Sequence, residues 1–356
     1  MTTQTIDEAK AAAFGGQLIG MLNGAALTFM LSIGHRTGLF DTMAGMPRST
    51  SEQIATKTGL DERYIREWLG AMVTGGIVAY DAANATYTLP PEHAASITRA
   101  AGPGNLAAFS QFFSEIGSVE TGIVESFRNG GGVPYSQFPR FQELMREESA
   151  QVFDATLLDV TLPLVPGLID RLKSGIDVAD VGCGAGHAIN IMAKAFPNSR
   201  FTGYDFSDEG IARGRAEAKD AAVANARFEV KDAATLDGSK QFDLITTFDS
   251  VHDQAKPRRV LKGIADALKP GGTFLCVDIA ASSNLHENLE HPLAPFMYTV
   301  STMHCMTVSL ALGGEGLGTV WGEQKAKELM AEAGFKDIKV ARVEGDIMNN
   351  YYIATK

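Results

Sequence analysis

Cysteine is scarce in this chain, with three residues in 356, at Cys183, Cys276 and Cys305. The three are far apart in sequence and odd in number, which favours reduced thiols in a cytoplasmic protein over a disulfide framework. Their spacing matches no metal-binding motif. The sequence therefore predicts neither disulfides nor a metal site.

Positively charged residues are also fewer than negatively charged ones. Lys and Arg total 31 against 42 Asp and Glu, which gives a formal net charge of -11. Proteins that bind nucleic acids or anionic membranes need clustered Lys and Arg, so this balance argues against both partners. Asp7 and Glu8 stand where a secretory signal would be basic, so we expect no such signal.

Residues 11–34 contain no charged side chain and are long enough to span a bilayer. Five glycines and several polar residues lower the hydrophobicity of this segment. Small residues also let two helices approach closely. We therefore predict a buried helix or a helix at a homodimer interface, with the membrane span as the alternative.

The next part of the chain has the pattern of a winged helix. Thr50 and Ser51 cap a first helix that Gly59 ends, and a second helix runs on to the Gly75-Gly76 pair. Two short alternating segments, 77–80 and 86–89, then predict a β-hairpin. The second helix begins with acidic residues, which would face the phosphates of DNA.

Three regions follow from this pattern. We predict a winged-helix or dimerisation domain at 1–102, a mainly helical connecting region at 103–172, and an α/β domain at 173–356. In the last region strands alternate with helices, which is typical of a parallel sheet with crossover helices. The predicted strands of this domain are 178–181, 201–205, 226–230, 242–248, 272–278, 336–343 and 350–355.

A glycine-rich turn after the first of these strands is the central motif, reading Asp180-Val181-Gly182-Cys183-Gly184-Ala185-Gly186-His187. Glycines allow a ligand to lie against the main chain, and the helix that follows presents free N–H groups. Dinucleotides favour G-x-G-x-x-G, whereas here the third glycine comes one place early. The G-x-G-x-G form suits S-adenosylmethionine, with Asp180 near the methionine ammonium or holding the loop.

Further polar residues follow the next strands. Asp205 ends the second strand, where a carboxylate can accept both ribose hydroxyls, and Phe206 would flank the adenine. Asp232 and Ala233 follow the third strand and could meet the adenine amino group and a ring nitrogen. Because the carboxyl ends of parallel strands bind ligands, we add two residues at the end of the fourth strand, Phe248 and Asp249.

Together these motifs resemble the class I, Rossmann-like S-adenosylmethionine-dependent methyltransferases over about 175–356. The whole chain is similar to mycobacterial-type methyltransferases with an N-terminal winged helix; the matching segments are 33–40, 251–254 and 318–323. The resemblance implies a seven-stranded, mostly parallel sheet with an antiparallel C-terminal hairpin strand. It also implies S-adenosylmethionine as cofactor and a front domain that dimerises and covers the active site.

Methyl transfer to oxygen benefits from a general base, most often His. His252 follows the fourth strand, as the catalytic His does in the plant-type O-methyltransferases that this section resembles. Those enzymes continue with Trp where this chain has Gln254, so a purely structural role for His252 stays open. His304 is the alternative base. It lies in an uncharged segment that we interpret as the lid of an apolar substrate pocket, with Phe296, Met297, Tyr298 and Met303, or as ordinary buried helix.

The sequence therefore favours a cytoplasmic, homodimeric methyltransferase of a small, apolar or aromatic molecule, with O-methylation favoured. Three other functions remain open: a winged-helix transcription regulator with a ligand-binding α/β domain, a NAD-dependent oxidoreductase, and a cofactor-binding protein that has lost catalysis.

Overall fold

The computed structural model describes residues 6–236 and 238–356 and divides into two compact units, 1–114 and 115–356. The helices are α1 (Glu8–Arg36), α2 (Leu39–Ala44), α3 (Ser51–Thr58), α4 (Glu62–Thr74), α5 (Pro91–Ile97), α6 (Leu106–Phe109), α7 (Gln111–Gly117), α8 (Glu120–Asn129), α9 (Phe141–Thr156), α10 (Leu168–Ser174), α11 (His187–Ala195), α12 (Asp208–Asp220), α13 (Pro257–Ala267), α14 (Ala294–Val300), α15 (Met306–Ala311) and α16 (Gly322–Ala333). The strands are β1 (Ala79–Asp81), β2 (Thr86–Thr88), β3 (Asp177–Val181), β4 (Arg200–Asp205), β5 (Ala226–Val230), β6 (Phe242–Phe248), β7 (Leu268–Ile279), β8 (Lys336–Ala341) and β9 (Asn349–Thr355).

The first unit contains the predicted winged helix. Thr50 and Gln53 form a capping box at the start of α3, and Gly59 ends that helix in the left-handed conformation. Asp61 caps α4 by accepting hydrogen bonds from two backbone N–H groups. The antiparallel pair β1 and β2 forms the wing. Local capping and turn signals in the sequence were therefore sufficient to place these elements.

Several apolar side chains in the first half of helix α1 face solvent, whereas Leu27, Met30 and Leu31 further along pack on the core of this unit. Phe14, Leu18 and Leu22, which are spaced by four residues, are all exposed. By length and composition α1 could cross a membrane, a test that core helices of soluble proteins and signal sequences also pass. The bent pair formed by residues 141–164 and α10 passes the same test only as one unit.

The second unit is built on a seven-stranded sheet in the order β5-β4-β3-β6-β7-β9-β8. The first five of these strands are parallel, and β9 runs antiparallel to both β7 and β8. Alternate residues of β3 face opposite cores: Val178 packs with α10 and α11, whereas Ala179 packs with α13 and α16. The predicted fold, including the antiparallel C-terminal strand, is confirmed.

The strand order places the functional residues. It reverses at β3, because β4 lies on one side and β6 on the other, and this switch point opens a crevice at the carboxyl ends of the strands. Two helical segments beside this sheet contain π-turns, Leu157–Thr161 after α9 and Ser301–Cys305 between α14 and α15. Such turns interrupt the regular helix and are frequent at functional sites.

Candidate active site

The glycine loop begins where β3 ends, and its three glycines have different reasons to be glycine. All three adopt positive φ. A Cβ at Gly182 would lie 2.5 Å from the Ser250 side chain, and one at Gly186 would lie 2.3 Å from the Phe228 ring. A Cβ at Gly184 would meet no atom within 4 Å. Gly182 and Gly186 are thus required by packing within the protein, and Gly184 faces open space.

Asp205 holds this loop in position. One carboxylate oxygen accepts a hydrogen bond from the Gly184 N–H at 2.9 Å, and the other accepts one from Ser207 N–H at 2.8 Å. Burial raises the pKa of Asp205 despite these hydrogen bonds. Each carboxylate oxygen has a second lone pair, so further hydroxyl donors can still bind.

Asp180 is a second buried carboxylate, at the end of β3 and 2% exposed. It accepts a 2.8 Å hydrogen bond from the Thr246 hydroxyl. Burial raises the pKa of Asp180 to about 7, although the Thr246 hydrogen bond opposes that shift. Among the described residues no side-chain cation forms an ion pair with it.

Cys183 and His187, both predicted to contact the cofactor, have side chains engaged with the protein. Burial and the field of Asp180 raise the pKa of the Cys183 thiol well above its usual value, so it stays neutral. The two ring nitrogens of His187 lie 2.5 Å from Glu217 of α12 and 3.0 Å from Asp154 of α9. Their backbone groups remain the candidates for ligand contacts.

The residues predicted to surround an adenine lie on two neighbouring strand ends. Asp232 is exposed and caps a short turn by accepting from the Ala234 N–H at 2.9 Å, and Ala233 is buried in that turn. Phe206, next to Asp205, is half-exposed. The apolar ring of Phe206 and the Asp232 carboxylate thus follow two neighbouring strands, and their contact with an adenine stays a prediction.

Phe248 is the last residue of β6, and Asp249 follows it. The Phe248 ring packs edge-on against Phe153 of α9, with ring centroids 4.8 Å apart. Asp249 has a φ of 48°, a strained conformation for a residue other than glycine. Desolvation and, next to it, the field of Asp278 raise the pKa of its carboxyl well above the usual value.

His252 lies just beyond β6 and is buried. Its Nδ1 is 2.7 Å from the Asp278 carboxylate, and its Nε2 is 3.3 Å from Asp253. The Trp321 indole N–H also donates to Asp278, at 3.0 Å. The sequence analysis missed Asp278, although its place at the end of β7, the strand beside β6, could have indicated it.

His304 lies on the other side of Asp253. Its Nδ1 is 4.0 Å from the Asp253 carboxylate, which also accepts a 3.1 Å hydrogen bond from the Tyr135 hydroxyl. Phe141 stacks on the imidazole with centroids 3.9 Å apart, and Phe138 meets it edge-on. The structure therefore brings both predicted histidines to one carboxylate, within an aromatic cluster that the sequence analysis did not predict.

The predicted pocket residues are divided between two places. Met303 packs in the cluster beside His304, with Tyr135 and Phe141. Phe296 and Met297 pack instead on Ile279 and Ala281, beyond the end of β7. The Tyr298 hydroxyl accepts a hydrogen bond from Asn288 at 3.1 Å. The three predicted residues of α14 thus pack beyond β7, and Met303 alone of the four belongs to the cluster that holds Tyr135 and Phe141.

Comparison with known families agrees with this geometry. Residues 25–99 match the Rv2258c-like winged HTH domain, and residues 172–334 match a methyltransferase domain. This is a methyltransferase-domain protein with an N-terminal winged helix. The resemblance inferred from the glycine loop and the strand-end carboxylates is confirmed.

Individual curated relatives match only part of this methyltransferase-domain protein. It is 32% identical over 114 residues to the ubiquinone biosynthesis O-methyltransferase of Shewanella halifaxensis, covering 31% of this chain and 48% of that protein. The match thus spans about half the length of that curated relative.

Solved structures match over nearly the full length. A putative O-methyltransferase from Nostoc punctiforme has a TM-score of 0.72 at 17% identity, covering 99% of this chain and 100% of that chain. Human N-acetylserotonin methyltransferase in complex with SAM has a TM-score of 0.69 at 17% identity, covering 100% and 99%. These likenesses establish a shared fold.

Proposed function

We propose that this protein transfers a methyl group from S-adenosylmethionine to a small molecule, with oxygen as the favoured acceptor atom. The observation that carries the proposal is the open main chain at Gly184, held by Asp205 at the switch point of the sheet. S-Adenosylmethionine, when bound, supplies an electrophilic methyl group whose bond to sulfur breaks with both electrons remaining on sulfur.

The residues present fit this cofactor. Free lone pairs of Asp205 would accept the ribose hydroxyls, and Phe206 and Asp232 would flank the adenine. Asp180, a buried carboxylate without a cation, would favour the positively charged methionine end. The loop carries no phosphate-binding third glycine at the usual dinucleotide position, which disfavours the NAD-dependent alternative.

The methyl acceptor would bind on the side of the site that holds the two histidines. Methyl transfer chiefly requires the nucleophile and the methyl group to be held in line and water to be excluded. The polar groups beside the acceptor would be those of His252, His304 and Asp253. The aromatic side chains around His304 would exclude water. The similarity to the ubiquinone biosynthesis O-methyltransferase of Shewanella halifaxensis supports a small-molecule acceptor and transfer to oxygen.

Calorimetric titration tests the cofactor assignment. Wild-type protein should bind S-adenosylmethionine and S-adenosylhomocysteine, and bind NAD far more weakly. Asp205→Ala should weaken binding of both sulfur compounds about 100-fold, because two charge-assisted hydrogen bonds to the ribose are lost. It should also lower the melting temperature, since the Gly184 and Ser207 N–H groups lose their acceptor.

Asp208→Ala is the matched control, because Asp208 is exposed and lies three residues further along the chain. It should leave both affinities unchanged. Equal affinity of the Asp205→Ala variant and the wild type would refute the ribose contact, and no binding of either sulfur compound by folded protein would refute the proposed function.

We also propose that the protein is a cytoplasmic homodimer assembled through α1. The exposed apolar row of Phe14, Leu18 and Leu22 supports this, as do four α1 glycines, at 15, 16, 20 and 24, whose Cβ positions would meet no atom within 4 Å. Contiguous exposed apolar side chains of this kind are typical of surfaces that bind another protein or a membrane. Free thiols at all three cysteines are consistent with a reducing compartment.

Light scattering on a sizing column tests the dimer. The wild type should have twice the chain mass, and Leu18→Glu combined with Leu22→Glu should convert it to a monomer, because two buried charges would face each other across the interface. Gln17→Glu adds charge at a neighbouring exposed position and should leave the dimer intact. A wild-type monomer, or flotation of the protein with lipid vesicles, would contradict the proposal.

A further inference from the structure

Three side chains of the second unit, those of His252, Asp253 and Cys305, form a cluster of metal-ligating groups. One ring nitrogen, one carboxylate oxygen and the sulfur lie within 4.8 Å of one another. We propose that these three side chains bind one zinc ion and leave its fourth coordination position open. This inference goes beyond the proposed methyl transfer and does not depend on it.

The cluster is assembled from two distant segments of the chain. His252 and Asp253 follow β6, whereas Cys305 ends the π-turn Ser301–Cys305. Zinc motifs are recognised in a sequence by ligands at short, regular spacing, and the sequence analysis found no such spacing. The fold therefore creates a group of ligands that the sequence pattern could not show.

The imidazole of His252 is oriented as in a zinc ligand. Its Nδ1 lies 2.7 Å from the Asp278 carboxylate; when Nδ1 carries the proton and donates, the lone pair is on Nε2. Asp278 is itself fixed, because it accepts hydrogen bonds from the Trp321 indole N–H at 3.0 Å and the Ile279 N–H at 2.8 Å. Zinc-binding histidines usually donate their other ring N–H to such an anchored acceptor.

Asp253 has one carboxylate oxygen engaged and one free. Its Oδ2 accepts a 3.1 Å hydrogen bond from the Tyr135 hydroxyl. Its Oδ1 is buried and has no hydrogen-bond partner among the described residues, although it lies 3.3 Å from His252 Nε2. Two ligands of a tetrahedral ion with bonds of about 2.0 Å are also about 3.3 Å apart. Since buried polar atoms are nearly always paired, this oxygen and this distance indicate a shared ion.

The charges around the cluster also favour a cation. The side chains of Asp253 and Asp278 are only 13% and 0% exposed. Among the residues that the structure describes, no Lys or Arg forms an ion pair with either carboxylate, and their basic partners are histidines. Buried carboxylates require compensating positive charge. A divalent ion would balance the charges of Asp253 and of the Cys305 thiolate.

The donor set selects zinc among the common divalent ions. Zinc accepts imidazole nitrogen, carboxylate oxygen and thiolate sulfur together, whereas magnesium and calcium take oxygen ligands. When zinc binds, the Cys305 thiol releases its proton to solvent, and a sulfur electron pair forms the bond to the metal. Zinc sites with three protein ligands keep the fourth position for water or another small oxygen ligand.

Calorimetric titration of untagged, chelator-treated protein with zinc chloride tests the site. One zinc ion should bind per chain, and magnesium chloride should give no binding heat. Cys305→Ser should weaken zinc binding at least about 100-fold, because a hydroxyl replaces the thiolate. Cys276→Ser is the matched control, since Cys276 is also a buried free cysteine but lies outside the cluster. Absence of zinc binding by the wild type, or equal affinity of Cys305→Ser, would overturn the proposal.

Asp278→Asn tests the orientation of His252. It should weaken zinc binding about 10- to 100-fold, because the ring loses its charged acceptor. Exposed Asp208 provides the control, and Asp208→Asn should bind zinc as the wild type does. Folded Asp278→Asn with wild-type zinc affinity would show that Asp278 does not position a metal ligand.

Spectroscopy tests the ligands and the open position. X-ray absorption of the zinc protein should show one sulfur at about 2.3 Å beside nitrogen and oxygen ligands at about 2.0 Å. A first shell without sulfur would identify adventitious zinc only. Cobalt-substituted protein should show a cobalt–thiolate absorption band that Cys305→Ser lacks, and sodium azide should change that spectrum. A spectrum unaffected by azide would overturn the open position.

Titration of the same proteins with S-adenosylhomocysteine separates this inference from the proposed function. Cys305→Ser should bind that compound as tightly as the wild type, because Cys305 is not among the residues proposed to hold the cofactor. Cofactor binding without zinc binding would refute the metal site and leave the proposed function standing. Zinc binding without cofactor binding would do the reverse.

Discussion

Asp180→Asn should make the cofactor-free protein more stable above neutral pH and at the same time weaken its affinity for S-adenosylmethionine. Burial raises the pKa of Asp180 from 3.8 to about 7, so ionising this group in the folded state costs free energy. A shift of this size corresponds to about 4 kcal/mol, an upper limit. Asn keeps the acceptor for Thr246 and removes the charge.

Proton binding by Asp180 determines the direction in which stability changes with pH. Between 3.8 and about 7 the folded protein holds a proton on Asp180 that the unfolded chain releases, so this group lowers stability as pH rises through that window. Chemical denaturation of both proteins should give free energies of unfolding that are equal near the acid end of the pH range and diverge up to neutral pH. Above neutral pH the difference between the two free energies should stay constant.

Asp170→Asn is the control for this prediction, because Asp170 is an exposed carboxylate on α10. It should change neither stability nor affinity. If Asp180→Asn gained no stability and bound the cofactor as tightly as the wild type, the buried carboxylate would have no role in receiving positive charge.

Gly184→Ala and Gly186→Ala should fail in different ways. A Cβ at Gly186 would lie 2.3 Å from the Phe228 ring, at a φ of 72° that disfavours any side chain. Overpacking and backbone strain together should cost about 3 kcal/mol or more and leave little folded protein. A Cβ at Gly184 meets no protein atom, so that variant should fold and lose cofactor binding.

Circular dichroism melts and calorimetric titration separate the two outcomes. Gly184→Ala should be destabilised only by backbone strain at a φ of 51°, about 1 kcal/mol, so its melting temperature should fall by a few degrees. Tight cofactor binding by folded Gly184→Ala would show that the ligand does not approach this part of the main chain. Gly117→Ala, at a position with open space and ordinary φ, should match the wild type in both assays.

The sequence predicts those parts of the site that are set by strand order. Asp180 and Asp205 lie at the ends of recognisable strands and His252 follows another, and parallel strands bring their carboxyl ends to one edge. Asp278 was within reach of the same reasoning. The glycine pattern predicted an approach to the main chain, but only the structure separates Gly184, which faces the cleft, from glycines that face Ser250 and Phe228.

The aromatic cluster around His304 could not be predicted in this way. Tyr135 reaches Asp253 across 118 residues of sequence, and it comes from a region that we interpreted only as a helical connection. No local periodicity encodes a contact of that range. The different surroundings of His252 and His304 are likewise a property of tertiary packing, since both are isolated histidines in the sequence.

The position of β9 has a consequence for synthesis on the ribosome. β9 follows β8 in sequence but lies between β7 and β8 in the sheet. A nascent chain that has emerged only as far as β8 therefore exposes the open edge of β7, and β8 has no partner to join. Sheet edges of this kind invite association with other chains. The interval before residues 349–355 emerge is thus the period when the growing polypeptide depends most on chaperones.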